Sequence, residues 1–191
     1  MSAVSPPPFS VLVLAGGRGQ RMGGHDKGLL AWHGQPLIAH LQRLLRPLSD
    51  DLIISCNRNQ ALYRSYADQL VGDLEPDFPG PLAGVRAGLR VARHEWLLIL
   101  ACDAPLVDRA LIEQLLNLAQ TTQAPAMVRQ AGFWQPMFSL IPRRLAAPLE
   151  QRWQAGERSL QRALRDENLQ ALDCAEDDRR LSNFNTPEGL R

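Results

Sequence analysis

The chain has little of what builds a disulfide scaffold, a membrane span or a nucleic-acid surface. Its three cysteines, Cys56, Cys102 and Cys174, are odd in number and far apart, which argues against a disulfide framework or a zinc site. The 21 Lys and Arg nearly balance the 20 Asp and Glu, so a formal charge of +1 offers no global field for nucleic acid. The longest clean apolar run, 96–102, is far shorter than the roughly 20 residues that a membrane helix needs.

The ends and the overall composition predict one compact domain. The N-terminal MSAVSPPPFS has no basic flank and precedes only a short apolar segment, so it is not typical of a signal peptide. With 191 residues, 45% hydrophobic and 21% charged, the chain is long enough for one core and lacks the composition of disorder. We expect a flexible tail at 1–8, a single domain at 9–191, and a cytoplasmic location with reduced, buried thiols.

Strand-like and helix-like segments alternate along the chain. Phe9–Leu14 is a continuous apolar, β-branched run, as expected for a parallel strand buried on both faces. Pro36 then opens a segment whose leucines recur at helical spacing. The same patterns predict further strands at 51–56, 70–71, 95–102, 124–129, 134–141 and 169–174, and helices at 60–69, 85–93, around 111–118, 145–153 and 160–164.

This alternation indicates an α/β domain whose mostly parallel sheet is covered by helices on both faces. A turn signal at Ala131 and Gly132 separates two of the predicted strands, so we expect a local antiparallel addition there. The segment 72–84, GDLEPDFPGPLAG, has no hydrophobic period and is predicted as a long loop, which in compact domains is usually functional.

Polar or glycine-rich clusters follow four of the predicted strands. They are the glycine loop after Leu14, Ser55 and Asn57 at the end of the second strand, Asp73, and Asp103. Ligands of open parallel sheets bind beyond the carboxyl ends of the strands. We therefore expect these clusters to line one crevice.

The first cluster, LAGGRGQRMGGHDKGLL at 14–30, has the chemistry of a phosphate-binding loop. It is not a Walker loop, because Lys27 is not followed by Ser or Thr, and it lacks the third glycine of the dinucleotide fingerprint. Its glycines let backbone amides approach phosphate oxygens, while Arg21 and Lys27 supply charge. The alternative is a tight turn whose cations lie in water.

The same stretch resembles the signature of nucleotidyltransferases, and specifically of molybdenum cofactor guanylyltransferases. Further matches follow in order at SCNRN, VGDLEPDFPGPLAG, LACDAPLV, GERSL and NFNTPEGL, so the resemblance spans 14–190. It implies a Rossmann-like three-layer α/β/α nucleotidyltransferase fold. It also implies an enzyme that joins GTP to molybdopterin, or to its molybdenum-loaded form, and releases pyrophosphate.

The resemblance assigns the nucleotide contacts to the first half of the chain. Backbone groups of Leu14, Ala15 and Gly16 would meet guanine and ribose, and Gly17 would continue the loop toward the phosphates. A second glycine after Ala15 and Gly16 goes with guanine in this family, whereas cytidylyltransferase relatives tend to have alanine there. Asn57 is a further nucleotide contact, although some relatives have asparagine where this chain has Ser55, so either residue could reach the guanine.

The resemblance also implies the catalytic groups. Arg21 and Lys27 would bind and polarise the triphosphate, Asp73 would contact the nucleotide, and Asp103 would hold Mg²⁺. Transfer between two anionic phosphates needs fixed cations, and Mg²⁺ takes one or two carboxylates together with phosphate oxygens. The structural alternatives are a helix cap for Asp103, a role for which Asp108 is better placed, and a turn for Asp73.

The pterin substrate needs a second set of contacts. Gly80 and Gly84 flank a rigid turn next to a helix start and could offer amides to the pterin phosphate. Arg158 in GERSL, with Asn183 and Asn185 in NFNTPEGL, match family positions that contact the pterin. Asn185 could equally cap a helix, since Thr186 and Pro187 follow it.

Two rival functions remain. The chain could be another nucleotidyltransferase that uses CTP or a sugar-phosphate acceptor, or it could be a non-catalytic GTP-binding carrier, in which Asp103 would be dispensable. We expect GTP and molybdopterin as substrates and transient contact with molybdoenzymes or their chaperones. We expect neither nucleic acid nor membrane as a partner.

Overall fold

The computed structural model describes residues 7–16, 26–73 and 80–184. The strands are β1 (Phe9–Leu14), β2 (Ala31–Trp32), β3 (Gln35–Pro36), β4 (Leu52–Ser55), β5 (Gln69–Val71), β6 (Trp96–Ala101), β7 (Ala126–Gln130), β8 (Phe133–Pro142) and β9 (Gln170–Cys174). The α-helices are α1 (Leu37–Leu45), α2 (Gln60–Tyr63), α3 (Pro81–Val91), α4 (Arg109–Thr122), α5 (Ala146–Gln154) and α6 (Leu160–Ala163).

Seven of these strands form one sheet in the order β5-β4-β1-β6-β8-β7-β9. Neighbouring strands are parallel except where β8 pairs with β6 and with β7, so only β8 runs against the others. Ala131 and Gly132 join β7 to β8 with positive φ values of 48° and 80°, which suit a tight hairpin turn. The predicted mostly parallel sheet with a local antiparallel addition is confirmed.

Helices cover both faces of the sheet, so the central strands are buried on both sides. Along β1, Val11 and Val13 belong to the core layer that includes buried residues of α1 and α4, whereas Leu12 belongs to the layer with those of α3, α5 and α6. Alternate side chains of a strand point to opposite faces, so an unbroken apolar run is required. The fold is the expected three-layer α/β/α arrangement.

Two predicted boundaries are wrong. α3 begins at Pro81 rather than at 85, so the last residues of the predicted loop are helical. Gly80 precedes the helix with φ of 107°, and Pro81 occupies the first helical position, where proline is favoured. The predicted helix at 60–69 stops at Tyr63. Asp68 pairs its backbone N–H with the Leu52 carbonyl and its carboxylate with the Leu52 N–H, both at 2.8 Å, which pulls the chain into β5.

A short hairpin, β2 with β3, was not predicted. It turns at His33 and Gly34, whose φ values are 48° and 76°. The ring of Trp32 contacts the rings of His33, His40 and Phe184, so the hairpin lies against the C-terminal segment.

No helix within the described residues is long and apolar enough to cross a membrane. Residues 1–6, 17–25, 74–79 and 185–191 lie outside the description. The division into a tail at 1–8 and a domain at 9–191 therefore stays a prediction.

One buried carboxylate organises the edge of the sheet where the strands begin. Asp51 is 0% exposed and accepts hydrogen bonds from the Ser10 hydroxyl at 2.6 Å, Gln69 Nε2 at 2.8 Å and the Arg93 backbone N–H at 2.8 Å. The Arg93 guanidinium also lies 3.0 Å away. Burial alone would raise the pKa of Asp51, but these donors outweigh it and hold the pKa below its usual range.

We predict that Asp51→Ala lowers the free energy of unfolding by about 3 kcal/mol, because it leaves several buried donors unpaired. Since the folded pKa is depressed, the carboxylate stabilises the fold above its unfolded pKa, and this contribution is lost as the pH falls through the folded pKa. Denaturant unfolding at neutral pH and at decreasing pH measures both effects. The exposed neighbour Asp50 is the control: if Asp50→Ala costs as much as Asp51→Ala, the buried network is not the cause.

Candidate active site

The carboxyl ends of four parallel strands meet at one edge of the sheet. In the register of the strands, Leu14 lies opposite both Ser55 and Ala101, and Ser55 lies opposite Val71. Backbone bonds continue one residue further, from Ala15 N–H to the Ser55 carbonyl at 2.8 Å and from Cys102 N–H to the Leu14 carbonyl at 3.1 Å. The structure thus brings Ser55, Asn57, Asp73 and Asp103 to one edge, as predicted, whereas the glycine loop beyond Gly16 lies outside the described residues.

Asn57 and Asp73 form a two-bond pair at this edge. Asn57 Nδ2 donates to Asp73 Oδ2 at 2.7 Å, and the Asp73 backbone N–H donates to Asn57 Oδ1 at 2.8 Å. A Cβ placed on Gly16 would lie 3.2 Å from Asn57 Nδ2, so the glycine makes room for this amide. The pair places a carboxylate and an amide beside the backbone of Ala15 and Gly16.

Ser55 and Gly84 face each other within the core. Ser55 is 1% exposed, and a Cβ on Gly84 would lie 2.9 Å from its hydroxyl oxygen and 2.6 Å from Leu14 Cδ2. The missing side chain lets α3 approach β1 and β4 closely. Packing therefore accounts for Gly84, and of the two candidate guanine contacts it is Asn57 rather than Ser55 that borders the edge.

Lys27 and Asp103 meet although they are 76 residues apart in sequence. Lys27 Nζ lies 2.8 Å from Asp103 Oδ2, and the two side chains are 25% and 9% exposed. Lys27 begins a 3-10 turn, Lys27–Leu29, while Asp103 follows β6 directly. Partial shielding from water strengthens the attraction of such a pair.

The helix-cap alternative for Asp103 is excluded by its neighbour. Asp108 caps α4, with its Oδ1 accepting the Leu111 N–H at 2.8 Å. The Asp103 backbone carbonyl accepts the Phe184 N–H at 2.7 Å. The Asp103 carboxylate thus faces Lys27, and its backbone is tied to the C-terminal segment.

The chemistry of Asp103 is compatible with a divalent cation. Mg²⁺ usually binds proteins through one or two carboxylates and takes its remaining ligands from phosphate and water. Within the described ranges no group of three or more His, Cys, Asp or Glu side chains could hold a metal by itself. A cation held by Asp103 would take further ligands from phosphate and water.

Two buried thiols flank this edge without being reactive. Cys56 and Cys102 are free and buried. Burial, followed by the charge of Asp26, raises the pKa of the Cys56 thiol to about 11, and burial together with Asp103 raises the pKa of Cys102 further. Both stay protonated at neutral pH, which makes them poor nucleophiles and metal ligands.

Arg158 is stacked on an aromatic ring. Its guanidinium carbon lies 3.9 Å from the centroid of Trp153, and Nη1 donates to the carbonyls of Trp153 and Glu157, both at 2.9 Å. Arg86, which is 5% exposed, lies 4.2 Å from the same ring and binds Glu150 through two hydrogen bonds of 3.0 and 2.8 Å. Sequence reasoning missed this support, since Arg86 is distant in sequence from Trp153 and these residues form no motif.

The GERSL turn is held by its own glutamate. Hydrogen bonds from Arg162 and from the Ser159 backbone N–H lower the pKa of Glu157 to about 2. Ser159 caps α6 by accepting the Arg162 N–H. The turn therefore presents Arg158 from an ordered backbone.

The remaining predicted pterin contacts are only partly described. A Cβ on Gly80 would lie 3.8 Å from the Arg158 carbonyl, so the start of α3 and the GERSL turn are neighbours. Asn183 is exposed and precedes Phe184, whose ring packs edge-on against Trp32 at 5.2 Å. Gly17, Arg21 and Asn185 lie outside the described residues.

The comparison with protein families decides the classification. A family model described as "MobA-like NTP transferase domain" matches residues 11–172. The chain belongs to this family. The resemblance of its motifs to molybdenum cofactor guanylyltransferases is thereby confirmed, and this MobA-like chain is a nucleotidyltransferase.

Curated relatives of this MobA-like chain are similar over nearly its whole length. A molybdenum cofactor guanylyltransferase from Pseudomonas putida is 71% identical over 185 residues, covering 97% of both chains. One from Pseudomonas aeruginosa is 61% identical, covering 96% of this chain and 93% of the relative.

Solved structures share the fold. The molybdopterin-guanine dinucleotide biosynthesis protein A of Archaeoglobus fulgidus superposes with a TM-score of 0.76 at 22% identity, covering 95% of this chain and 94% of the other. The 4-diphosphocytidyl-2C-methyl-D-erythritol synthase of Anaerococcus prevotii reaches 0.77 at 11% identity, covering 97% and 93%. At such identities the likeness concerns the fold alone.

We predict that Gly84→Ala lowers the free energy of unfolding by about 2 kcal/mol, because the added methyl forces α3 away from Leu14 and Ser55. Gly72→Ala is the matched control, since its Cβ would meet its nearest neighbour at an ordinary 3.5 Å. Denaturant unfolding of both variants checks the difference. Equal stability of the two would mean that Gly84 is not required for packing.

Proposed function

We propose that this chain transfers GMP from GTP to molybdopterin or the molybdenum cofactor, forming the guanine dinucleotide and releasing pyrophosphate. The observation that carries this proposal is the ion pair of Lys27 and Asp103 at the edge where the backbone of Leu14, Ala15 and Gly16 emerges. The names of the closely similar curated relatives support the same reaction.

The nucleotide would lie along the ends of β1, β4 and β5. Backbone groups of Leu14, Ala15 and Gly16 would hold guanine and ribose, with Gly17 continuing toward the phosphates. Guanine offers an N–H donor edge and a carbonyl acceptor, which match the carboxylate of Asp73 and the amide of Asn57. Their mutual hydrogen bonds fix both side chains before the ligand arrives.

The phosphates would lie between Lys27 and Asp103. The Lys27 ammonium, together with Arg21, would neutralise charge on the triphosphate and on the leaving pyrophosphate. Asp103 would hold Mg²⁺, which when bound supplies positive charge to the phosphates. In the structure the ammonium lies 2.8 Å from the carboxylate, so a phosphate and a cation would replace this contact when they bind.

The acceptor would bind on the side of α3 and the GERSL turn. Arg158 would bind the pterin phosphate, beside the start of α3 at Gly80, where backbone N–H groups favour anions. Asn183 and Asn185 would contact the pterin edge. Gly84 would act indirectly, by allowing α3 to pack close enough to bring Gly80 to this position.

Transfer of the product completes the proposal. Direct transfer would keep the exposed pterin of the dinucleotide cofactor out of solvent, so we propose transient docking to a molybdoenzyme or its chaperone. A cytoplasmic location stays a prediction from the sequence.

The proposal predicts pyrophosphate release with molybdopterin and Mg²⁺ when GTP is supplied, and little with CTP, ATP or UTP. Release with CTP alone would keep the reaction and overturn the base assignment. Binding of GTP without release under any condition would favour the carrier function.

The matched control uses two aspartates of one loop. Asp103→Asn should lower kcat by about 100-fold or more, because a charge that acts on the phosphates is lost. Asp108→Asn makes the same charge change and keeps a good helix cap, so its rate should be unchanged. Full turnover by Asp103→Asn would contradict the proposed role of the carboxylate.

A further inference from the structure

The turn that begins at Lys27 is anchored by contacts of the preceding residue, Asp26. Asp26 Oδ1 accepts a hydrogen bond from the Tyr63 hydroxyl, and Asp26 Oδ2 accepts one from Asn59 Nδ2 at 3.0 Å. Arg58 Nε lies 3.9 Å from the same oxygen. The Asp26 side chain is only 6% exposed, so little water competes for these contacts.

Tyr63 is also the surface on which the turn rests. It is 0% exposed, and a Cβ on Gly28 would lie 2.5 Å from its hydroxyl oxygen and 3.3 Å from Cys102 Cβ. The turn is therefore wedged between Tyr63 and the residue that precedes Asp103. Glycine is required at 28 because no side chain fits this gap.

The Tyr63 hydroxyl stays a donor at neutral pH. Burial raises its pKa well above the usual range, and the nearby acidic groups act in the same direction. The backbone turns directly after the anchored residue, with Leu29 N–H donating to the Asp26 backbone carbonyl at 3.1 Å and Leu30 N–H to the Lys27 backbone carbonyl at 3.1 Å. The starting point of the Lys27 side chain is thereby fixed relative to α2.

We propose that Tyr63 is a positioning residue for nucleotidyl transfer, which through Asp26 sets the Lys27 turn and so directs the Lys27 ammonium to the phosphates. The inference rests on the proposed role of Lys27 and extends it to Tyr63, which lies outside every motif quoted above. A lysine side chain has a flexible four-carbon stem, so anchoring its backbone limits where its charge can go. Small displacements of such a group cost much of its effect.

A purely structural role for Tyr63 makes a different prediction. As a core residue it needs its ring, whereas the positioning role needs its hydroxyl. Tyr63→Phe removes only the oxygen. The control is Tyr66→Phe, because Tyr66 packs against the same core and takes no part in the Asp26 contacts described above.

The test is the equilibrium affinity for GTP with Mg²⁺ in a double-mutant cycle. We expect Tyr63→Phe to weaken GTP binding about tenfold in the wild-type background. In a Lys27→Ala background, where backbone contacts to the nucleotide keep binding measurable, it should change affinity by less than about twofold. Tyr66→Phe should be neutral in both, and the KM for molybdopterin should be unchanged by Tyr63→Phe.

Two results would overturn the inference. An equal loss of GTP affinity from Tyr63→Phe with and without Lys27 would mean that it acts through general stability, and no loss in either would mean that the hydroxyl positions nothing. GTP binding needs no molybdopterin, so the affinities in the mutant cycle can be measured independently of pyrophosphate release. A wild-type chain that binds GTP but releases no pyrophosphate would contradict the proposed function and leave this result valid.

Discussion

The contact between Lys27 and Asp103 is the interaction on which the candidate site depends. Asp103 follows β6, and the turn that begins at Lys27 packs at Gly28 against Tyr63 and Cys102, so the contact depends on how this turn packs at the edge of the sheet. The two charges match the two ligands of nucleotidyl transfer, since the ammonium suits phosphate and the carboxylate suits a divalent cation. Across 2.8 Å each charge neutralises the other, which lowers the cost of holding two partly buried charges at one edge.

The two proposed sides of the site are built in different ways. The proposed nucleotide side consists of strand ends and of short side-chain bonds between neighbours, such as the pair of Asn57 and Asp73. The proposed acceptor side consists of a helix start and a turn, where Arg158 is held by stacking on Trp153. The close packing of α3 at Gly84 against Leu14 and Ser55 sets how near Gly80 comes to the sheet.

Much of this arrangement could be predicted from the sequence. The buried strands have short, continuous apolar runs that alternate with helical patterns, which indicates a parallel sheet. Parallel strands bring their carboxyl ends to one edge, so Asn57, Asp73 and Asp103 were expected there. The resemblance then supplied the reaction. Local patterns failed where a distant partner decides the structure: the pairing of Asp68 with Leu52 ends the helix at 60–63, and Tyr63 meets Asp26 across 37 residues.

A structure of the chain with a slowly reacting GTP analogue and Mg²⁺ tests the central claim most directly. The account predicts that Lys27 Nζ leaves Asp103 and lies about 3 Å from a phosphate oxygen, while an Asp103 oxygen lies about 2.1 Å from the cation. A bound nucleotide that leaves the Lys27–Asp103 pair intact, with its phosphates elsewhere, would contradict it.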